Sequence, residues 1–353
     1  MGRGIVVSDF DIHVRKLVAW HFDPNTGSPF WLGKRTELGF DPIRDVQGAA
    51  DLAMFPDVGA ALRSVPAQEL IPAGLSGKVF RVYESGGTTG APKRIVDGDC
   101  RARMLEWARL RLIELGVPPS GNWLHLGPTG PHVAGTDVAR HAAIGRGLFY
   151  AVDFDPRWVK NLLARGSAEV AEEYLQHLLD QGRTVLETQD ISVLNATPPL
   201  LEAICSRPEL YELVRAKVKA ILWAGTSISP ENLRQLDEVF FPDAVVAGVY
   251  GNSLMGVAPQ RRRLDTDTHR CVFEPFPETT RLELVDEEGR QVGYGQRGRV
   301  RLHLLSEEMF LPNILERDSA VRVEPAPGGE VDGLADVQTY GELEDAQIIE
   351  GVY

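Results

Sequence analysis

Cysteine is scarce in this sequence, with three residues among 353: Cys100, Cys205 and Cys271. None of them stands in a Cys-x-x-Cys or Cys-x-x-His spacing, so we expect neither a structural zinc site nor a disulfide framework. The first residues lack a secretory h-region, and no apolar run approaches the ~20 residues that a membrane-spanning helix needs. These absences predict a protein of the reducing cytoplasm without a membrane partner.

Positive charge is also in short supply. The chain has 37 lysines and arginines against 50 aspartates and glutamates, for a net charge of −13. Nonspecific nucleic-acid binders present basic faces to the phosphate backbone, so this balance argues against a nucleic-acid partner. A small anion can still be bound locally. Hydrophobic residues make up 43% of the chain, enough to bury the cores of two or three domain-sized units.

One glycine-rich segment combines several phosphate-binding features: Ser-Gly-Gly-Thr-Thr-Gly-Ala-Pro-Lys, from Ser85 to Lys93. It follows a β-prone stretch at 79–83, and the backbone N–H groups of such a loop can curl round an anion. The glycines permit positive φ, the hydroxyls donate hydrogen bonds, and Lys93 adds a point charge. A Walker A loop is excluded because Arg94 follows the lysine where Ser or Thr is needed. The segment predicts a phosphate-binding loop, and the alternative is a plain flexible turn.

Strands and helices alternate along the chain from residue 100 to residue 255. The predicted helices are 100–115, 136–144, 168–181 and two that start at Pro199 and Pro230, and the predicted strands are 122–127, 148–152, 191–195, 218–223 and 245–250. This alternation indicates crossover connections and an α/β fold with a largely parallel sheet. Beyond residue 256, β-rich stretches at 281–285, 298–305 and 320–323 predict a smaller, barrel-like β region.

The loop from Ser85 to Lys93 closely resembles the phosphate loop of the adenylate-forming superfamily: acyl- and aryl-CoA ligases, adenylation domains of peptide synthetases, and luciferases. The resemblance implies the large N-terminal domain of that fold, with mostly parallel sheets flanked by helices plus a distorted β-barrel. It also implies ATP as the cofactor, with Lys93, Thr88 and Thr89 as catalytic residues. The nucleotide-binding residues that it implies in the loop are Ser85, Gly86, Gly87 and Gly90.

The segment Ala224-Gly-Thr-Ser227 follows a predicted strand and resembles the small-residue turn that forms one wall of the superfamily's adenine pocket. The resemblance implies that Ala224, Gly225 and Thr226 contact the nucleotide, since glycine lets a flat base lie against the backbone. The alternative is an ordinary strand-to-helix turn in which Ser229 caps the helix that starts at Pro230.

Residues 249–256 resemble the superfamily's Tyr-Gly-x-Thr-Glu segment, and the alternative is a buried strand end with a glycine turn. The resemblance implies that Tyr250 stacks on adenine, with Gly251 beside it, and that Ser253 touches phosphate. Leu254 stands where the superfamily has a glutamate that ligates Mg²⁺, and leucine offers no oxygen. Mg²⁺ is therefore an expected cofactor with no protein ligand assigned, held by phosphates, by waters or by another carboxylate.

Residues 312–318 resemble a segment that ends in Arg-Asp before a strand, which implies that Asp318 binds both ribose hydroxyls. The alternative is a surface Arg-Asp pair. His132-Val-Ala-Gly135 resembles a His-x-x-Gly segment near the acyl pocket, which implies that His132 contacts substrate or phosphate as a catalytic residue; the alternative is a loop histidine bonded to the backbone. The other predicted substrate-binding residues, around a flat pocket, are Gly225, Gly248 and Asn252.

The final stretch, 340–353, resembles the hinge that leads in this superfamily to a small C-terminal domain, so we expect the fold without that domain. The expected division is 1–255 for the α/β subdomains with the phosphate loop and acyl pocket, 256–339 for the β-rich subdomain and 340–353 for the hinge remnant. Residues 21–31 are similar to short members of phenazine-type antibiotic pathways, which implies an aromatic acid as substrate.

Taken together, the resemblances imply ATP-dependent activation of a carboxylic acid to an acyl-adenylate, with release of pyrophosphate. The product would pass to a partner such as a reductase or an acyl-acceptor protein. One alternative is a nucleotide- and aryl-acid-binding protein that keeps the fold without turnover. Another is an acyl-protein synthetase that acylates its own cysteine, which is less favoured because no cysteine lies near the C-terminus or beside a histidine.

Overall fold

The computed structural model describes residues 8–87 and 90–340. The predicted catalytic residues Thr88 and Thr89, and residues 341–353 of the predicted hinge, lie outside these described residues. Helices form the N-terminal part, and three β-sheets follow in the described ranges. None of the described helices is both long and apolar enough to cross a membrane.

The N-terminal part is helical and irregular. Its helices are α1 (Asp9–Phe22), α2 (Pro29–Lys34) and α3 (Pro42–Asp45), with 3₁₀ turns at Arg35–Glu37, Ala49–Met54, Ala61–Arg63, Ala67–Leu70 and Ala73–Leu75. The first helix begins at a reciprocal cap, because the Ser8 hydroxyl accepts the Asp11 N–H while the Asp11 carboxylate accepts the Ser8 N–H. The indole N–H of Trp31 donates to the Phe310 carbonyl at 2.8 Å, which fixes this part against the β-rich region.

The predicted phosphate loop connects the two strands of an antiparallel hairpin. These strands are β1 (Arg81–Glu84) and β2 (Arg94–Asp97), and Glu84 pairs with Arg94 at the mouth of the loop. The strand that precedes the loop was expected from its β-prone residues, whereas the return strand was not.

A six-stranded sheet forms the centre of the α/β region. Its strands are β3 (Trp123–Leu126), β4 (Phe149–Val152), β5 (Val193–Ala196), β6 (Ala220–Ala224), β7 (Val245–Asn252) and β8 (Gly256–Pro259), in the order β4-β3-β5-β6-β7-β8. All neighbours are parallel except β8, which runs antiparallel to β7. Strands β3 and β5 are buried at every residue, as expected for parallel strands covered on both faces.

Helices cover both faces of this sheet. They are α4 (Cys100–Glu114), α5 (Val133–Ile144), α6 (Pro156–Ala164), α7 (Ala168–Thr188), α8 (Pro198–Cys205), α9 (Pro208–Lys217) and α10 (Pro230–Gln235). On one face Trp123 and Leu222 pack with residues of α4 and α5. On the other face Leu124 and Ile221 pack with residues of α7, α8 and α9.

The β-rich region after residue 256 is a five-stranded antiparallel sheet. Its strands are β9 (Val272–Phe273), β10 (Thr280–Val285), β11 (Arg297–Leu305), β12 (Phe310–Val323) and β13 (Gly333–Thr339), in the order β10-β11-β12-β13-β9. The 14-residue strand β12 lies at its centre and reaches the site described below.

The structure confirms the α/β class and the alternation of elements, and it moves several boundaries. Strand β7 continues to Asn252, so Tyr250 and Gly251 lie inside it, where pairing with β8 extends the ladder. The predicted strand 320–323 is only the end of β12, because pairing with β11 begins at Phe310. Helix α5 begins at Val133, and His132, with extended backbone, is its N-cap.

Candidate active site

One cavity of about 550 Å³ is lined by several parts of the fold, among them the hairpin loop, the carboxyl ends of the parallel strands and the middle of β12. Ligands of open α/β sheets bind at this end of the strands. The predicted site residues that line it are Ser85, Gly86, Gly87, Lys93, His132, Ala224, Gly225, Thr226, Tyr250, Gly251, Asn252, Ser253 and Asp318. The predicted Gly90 and Gly248 do not line it.

The phosphate loop is held closed at its base. The Ser85 N–H donates to the Lys93 carbonyl and the Lys93 N–H donates to the Ser85 hydroxyl, each at 2.9 Å. Arg157 of α6 donates from Nη2 to the Ser85 carbonyl at 3.1 Å and to the Glu84 carboxylate at 2.8 Å. These bonds fix the backbone on both sides of the glycines and set Lys93 in the cavity wall.

Two charged residues at this end were not expected from the sequence. Arg63 donates from Nη1 to the Ala91 carbonyl at 2.5 Å, beside the loop. A Cβ added at Gly59 would lie 3.0 Å from Asp57 Oδ1 and 3.4 Å from Lys93 Nζ. The Asp57 carboxylate and the Lys93 ammonium group therefore both lie beside Gly59. Asp57 and Arg63 come from the irregular 3₁₀ region, where no strand or helix period indicated a site. Both line the cavity.

An aromatic wall lies on the side predicted for adenine. The ring centroids of Trp223 and Phe273 are 5.8 Å apart, and those of Tyr250 and Phe273 are 5.9 Å apart. Gly225 turns the chain after β6 with φ +89°, a left-handed conformation that favours glycine. Within the described residues, Trp223 Nε1 and Thr226 Oγ1 are buried without a hydrogen-bond partner. Both groups line the cavity, and hydrogen bonds to a ligand would satisfy them.

The prediction that Gly248 lines the substrate pocket needs correction, because this residue lies behind the aromatic wall. A Cβ there would lie 2.6 Å from Trp223 Cζ2 and 3.0 Å from Phe273 Cε1. We expect Gly248→Ala to lower the free energy of unfolding by about 1–3 kcal/mol, as overpacking does. Urea unfolding measures this, with Gly33→Ala as control because its Cβ would meet nothing within 4 Å. Equal stability of the two variants would contradict the placement.

Asp318 lies inside β12 and is 8% exposed. The Tyr250 hydroxyl donates to Asp318 Oδ2 at 2.9 Å. The residue predicted to bind ribose is therefore in direct contact with the residue predicted to stack on adenine. Burial raises the pKa of Asp318 above its usual value, although the Arg317 charge, the Tyr250 hydrogen bond and the Lys93 charge oppose it. The predicted surface alternative for this Arg-Asp pair therefore does not hold.

The turn after β7 braces the loop base. The Ser253 hydroxyl donates to the Glu84 carbonyl at 3.1 Å, and Asn252 Oδ1 accepts the N–H groups of Leu254 and Met255, each at 2.9 Å. The side-chain oxygen of Asn252 is thus used by the turn. Leu254 is 3% exposed and belongs to the hydrophobic core. Leu254 therefore packs in the core at the position where the resemblance places a ligating glutamate in other members.

Residues of helix α5 also line the cavity, together with the sheet residues His125 and Asn195. Burial lowers the pKa of His132, with the Arg157 charge adding to the effect, so its imidazole is neutral at neutral pH. Further along the helix, Asp137 Oδ1 lies 3.6 Å from Arg101 Nε, and both side chains are buried. Arg101 also donates from Nη2 to the Ser253 carbonyl at 3.2 Å. This arginine therefore joins α4, α5 and the turn after β7.

Asp137 makes the stability of the chain depend on pH. Burial raises the pKa of Asp137 from 3.8 to about 6, although Arg101 opposes the shift. Between pH ~4 and ~6 the folded chain keeps a proton that the unfolded chain releases, so stability falls as pH rises through this window and then levels off. Relative to Asp137→Asn, the wild type should lose about 2–3 kcal/mol across it. Urea unfolding at several pH values tests this, and parallel pH profiles would contradict it.

One carboxylate in the cavity, that of Glu316, has an oxygen that could bind a divalent cation. Glu316 lines the cavity and is 6% exposed, and its Oε1 is buried without a hydrogen-bond partner among the described residues. The described chain contains no cluster of three or more His, Cys, Asp and Glu side chains that could hold a metal ion alone. Mg²⁺ is commonly bound by one or two carboxylates plus phosphates, so Glu316 fits it together with a nucleotide.

The fold of this chain is similar to that of solved protein structures. No protein-family model matches the sequence, and no curated protein matches it. Among solved structures, 2-hydroxyisobutyryl-CoA ligase in the postadenylation state, in complex with 2-HIB-AMP, is similar at a TM-score of 0.64 and 16% identity, covering 95% of this chain and 67% of that chain. The open conformation of the same ligase, in complex with 2-HIB-AMP and CoA, gives a TM-score of 0.62 at 16% identity, covering 93% and 67%.

This chain thus spans about two thirds of the length of that ligase. At 16% identity the likeness establishes the fold. This likeness agrees with the mixed α/β architecture described above. The chain has the adenylate-forming fold, as the resemblance of its phosphate loop implied.

Proposed function

We propose that this chain is an adenylate-forming enzyme, which uses ATP to activate a carboxylic acid. The observation that supports this most strongly is the convergence on one cavity of the base of the phosphate loop, an aromatic wall with the Tyr250–Asp318 pair, and residues of α5. Among the residues that the structure describes, Glu316, Thr226 and Trp223 line the cavity and carry buried polar atoms without a hydrogen-bond partner. A ligand with phosphate, ribose and base groups would satisfy them.

In this proposal the loop from Ser85 to Lys93 receives the phosphates of ATP. Asp318 accepts hydrogen bonds from the ribose hydroxyls, and adenine lies against Tyr250 and the turn at Gly225. The predicted residues Thr88, Thr89 and Gly90 complete the loop. Neutral His132 contacts the acid or the α-phosphate.

The proposed reaction is an in-line displacement at the α-phosphate. A carboxylate oxygen forms a bond to the α-phosphorus, the bond from that phosphorus to the bridging oxygen breaks, and pyrophosphate leaves with that electron pair. The carboxylate is already ionised at neutral pH, so no general base is required. Lys93 stabilises the charge that develops on the phosphates. Bound Mg²⁺ would neutralise part of the pyrophosphate charge.

An aromatic acid is the proposed substrate, and it would lie in the part of the cavity lined by α5. The small residues Gly225 and Gly251 and the aromatic and apolar lining, with Trp123, Val138 and Leu222, favour a flat ring there. The acyl-adenylate would pass to a partner such as a reductase or an acyl-acceptor protein, in secondary-metabolite biosynthesis of the phenazine-antibiotic type.

The second candidate function is a nucleotide- and aryl-acid-binding protein without turnover, and buried Leu254 favours it. Self-acylation is not favoured. Cys271 lines the cavity, but burial raises the pKa of its thiol well above the usual value, which makes it a poor nucleophile.

Pyrophosphate exchange separates these functions. The protein is incubated with ATP, Mg²⁺, labelled pyrophosphate and single members of a panel of aryl and aliphatic acids. The proposed enzyme incorporates label into ATP only when an acid is present, and most strongly with an aryl acid. Tight ATP binding without acid-dependent exchange would instead support the binding protein.

A further inference from the structure

Glu316 is a buried carboxylate with one oxygen that no described residue satisfies. It precedes Asp318 by two residues in β12, where the pairing with β11 shifts register, and both residues line the cavity. Its Oε1 is buried without a hydrogen-bond partner in the described ranges. An unpaired buried carboxylate oxygen costs free energy, so a ligand of the cavity that satisfies it would bind more tightly.

The surroundings of Glu316 carry charge of both signs. Burial raises the pKa of Glu316, the positive charges of Lys93 and Arg317 lower it, and the nearby Asp318 and Asp57 add to the increase. Each carboxylate oxygen of Asp57 accepts a hydrogen bond: Oδ1 from the Gly59 N–H at 2.7 Å, and Oδ2 from the Leu315 N–H at 3.3 Å. Of Asp57 and Glu316, only Glu316 has a buried oxygen without a hydrogen-bond partner among the described residues.

A nucleotide in the loop would bring further negative charge to this place. Phosphates beside Glu316 and Asp57 would repel both carboxylates unless a cation lay between them. The described residues form no protein cage for a metal, which leaves phosphate and water oxygens as the remaining ligands. One or two carboxylates completed by substrate phosphates is the coordination typical of Mg²⁺.

We propose that Glu316, with Asp57 as a second carboxylate, binds the divalent cation that accompanies ATP, at a position on β12 rather than in the turn after β7. This inference rests on the proposed function, because the nucleotide supplies the remaining ligands. A cation at Glu316 would let the chain hold a metal although Leu254 offers no oxygen ligand. It would also satisfy Glu316 Oε1, which has no hydrogen-bond partner among the described residues.

The test is direct metal binding to Glu316→Gln, which removes the charge and keeps the shape. Mn²⁺ binding is measured by electron paramagnetic resonance in the presence of a non-hydrolysable ATP analogue, and ATP binding is measured calorimetrically with Mg²⁺ or with EDTA. We expect the variant to bind Mn²⁺ about 10–100-fold more weakly than the wild type. The affinity for metal-free ATP should be unchanged or higher, because a repulsive charge is gone. Glu324→Gln, an exposed change just after the same strand, is the matched control.

Each outcome decides between the proposals. Wild-type Mn²⁺ affinity in Glu316→Gln, with ATP binding intact, would overturn the metal site and leave the proposed function standing. Failure of the wild type to bind ATP under either condition would overturn both. Should Glu316→Gln fail to fold, Asp57→Asn replaces it with the same expected loss of Mn²⁺ affinity, and unchanged affinity there would overturn the proposal.

Discussion

Replacing Lys93 with alanine should lower acid-dependent pyrophosphate exchange by about 10²–10³-fold. The lysine lies in the cavity wall at the base of the loop, and its Nζ lies 3.4 Å from the position of a Cβ added at Gly59, which also lines the cavity. In the proposed function the phosphates lie beside this ammonium group. Charge develops there as pyrophosphate leaves, and a fixed positive charge in a partly buried site stabilises it strongly. The loop backbone should survive, because the bonds between residues 85 and 93 use only the main chain of Lys93.

The control for this prediction is Lys78→Ala. Lys78 is half-exposed and lies 4.0 Å from Asp99, at the surface. Its replacement removes the same charge and should leave exchange within twofold of the wild type, roughly the effect of a distant surface charge. Similar exchange rates in Lys93→Ala and Lys78→Ala would contradict the phosphate role of the loop.

Replacing Asp318 with asparagine should weaken ATP binding by about 10–100-fold, because a carboxylate that accepts two ribose hydrogen bonds is lost. The effect should depend on the sugar. The wild type should bind ATP much more tightly than 2′-deoxy-ATP, whereas Asp318→Asn should bind the two with similar affinity. Calorimetric titration with both nucleotides measures the difference.

Tyr250→Phe is the matched control for Asp318. It removes the hydrogen bond that the tyrosine hydroxyl donates to Asp318, yet it keeps both the ring and the carboxylate. We expect a smaller loss of ATP affinity and retained discrimination against 2′-deoxy-ATP. Equal discrimination by the wild type and Asp318→Asn would show that Asp318 does not contact the ribose.

The predicted site residues that line the cavity mostly stand in short motifs at strand ends. A glycine-rich loop after an apolar strand is a local pattern, so a phosphate-binding loop at Ser85 could be predicted from its own residues, whereas the role of the turn at Gly225 is implied by the resemblance. The periodicity of the central strands likewise indicated the parallel sheet. These features depend on neighbours within a few residues, and the structure places them at one cavity.

The features that could not be predicted depend on packing between residues that are far apart in the sequence. Gly248 looked like a pocket residue, yet Phe273, 25 positions later, covers it together with Trp223. Asp57 lies between two 3₁₀ turns and Arg63 ends the second of them, in a region without a periodic pattern. Glu316 stands two residues before Asp318, but the pairing of β12 with β11 shifts register between Leu315 and Ser319, so regular strand alternation does not assign its face. It was missed because β12 was expected to begin only at residue 320.

In the proposed reaction the acid attacks the α-phosphate of ATP in this cavity. An acid labelled with ¹⁸O in its carboxylate, chosen from those that support exchange, tests this attack. The protein is incubated with this acid, ATP and Mg²⁺, the product is cleaved with hydroxylamine, and the released nucleotide is analysed by mass spectrometry. The proposed reaction predicts AMP that carries one ¹⁸O atom from the acid. Unlabelled AMP, or ADP in its place, would contradict it.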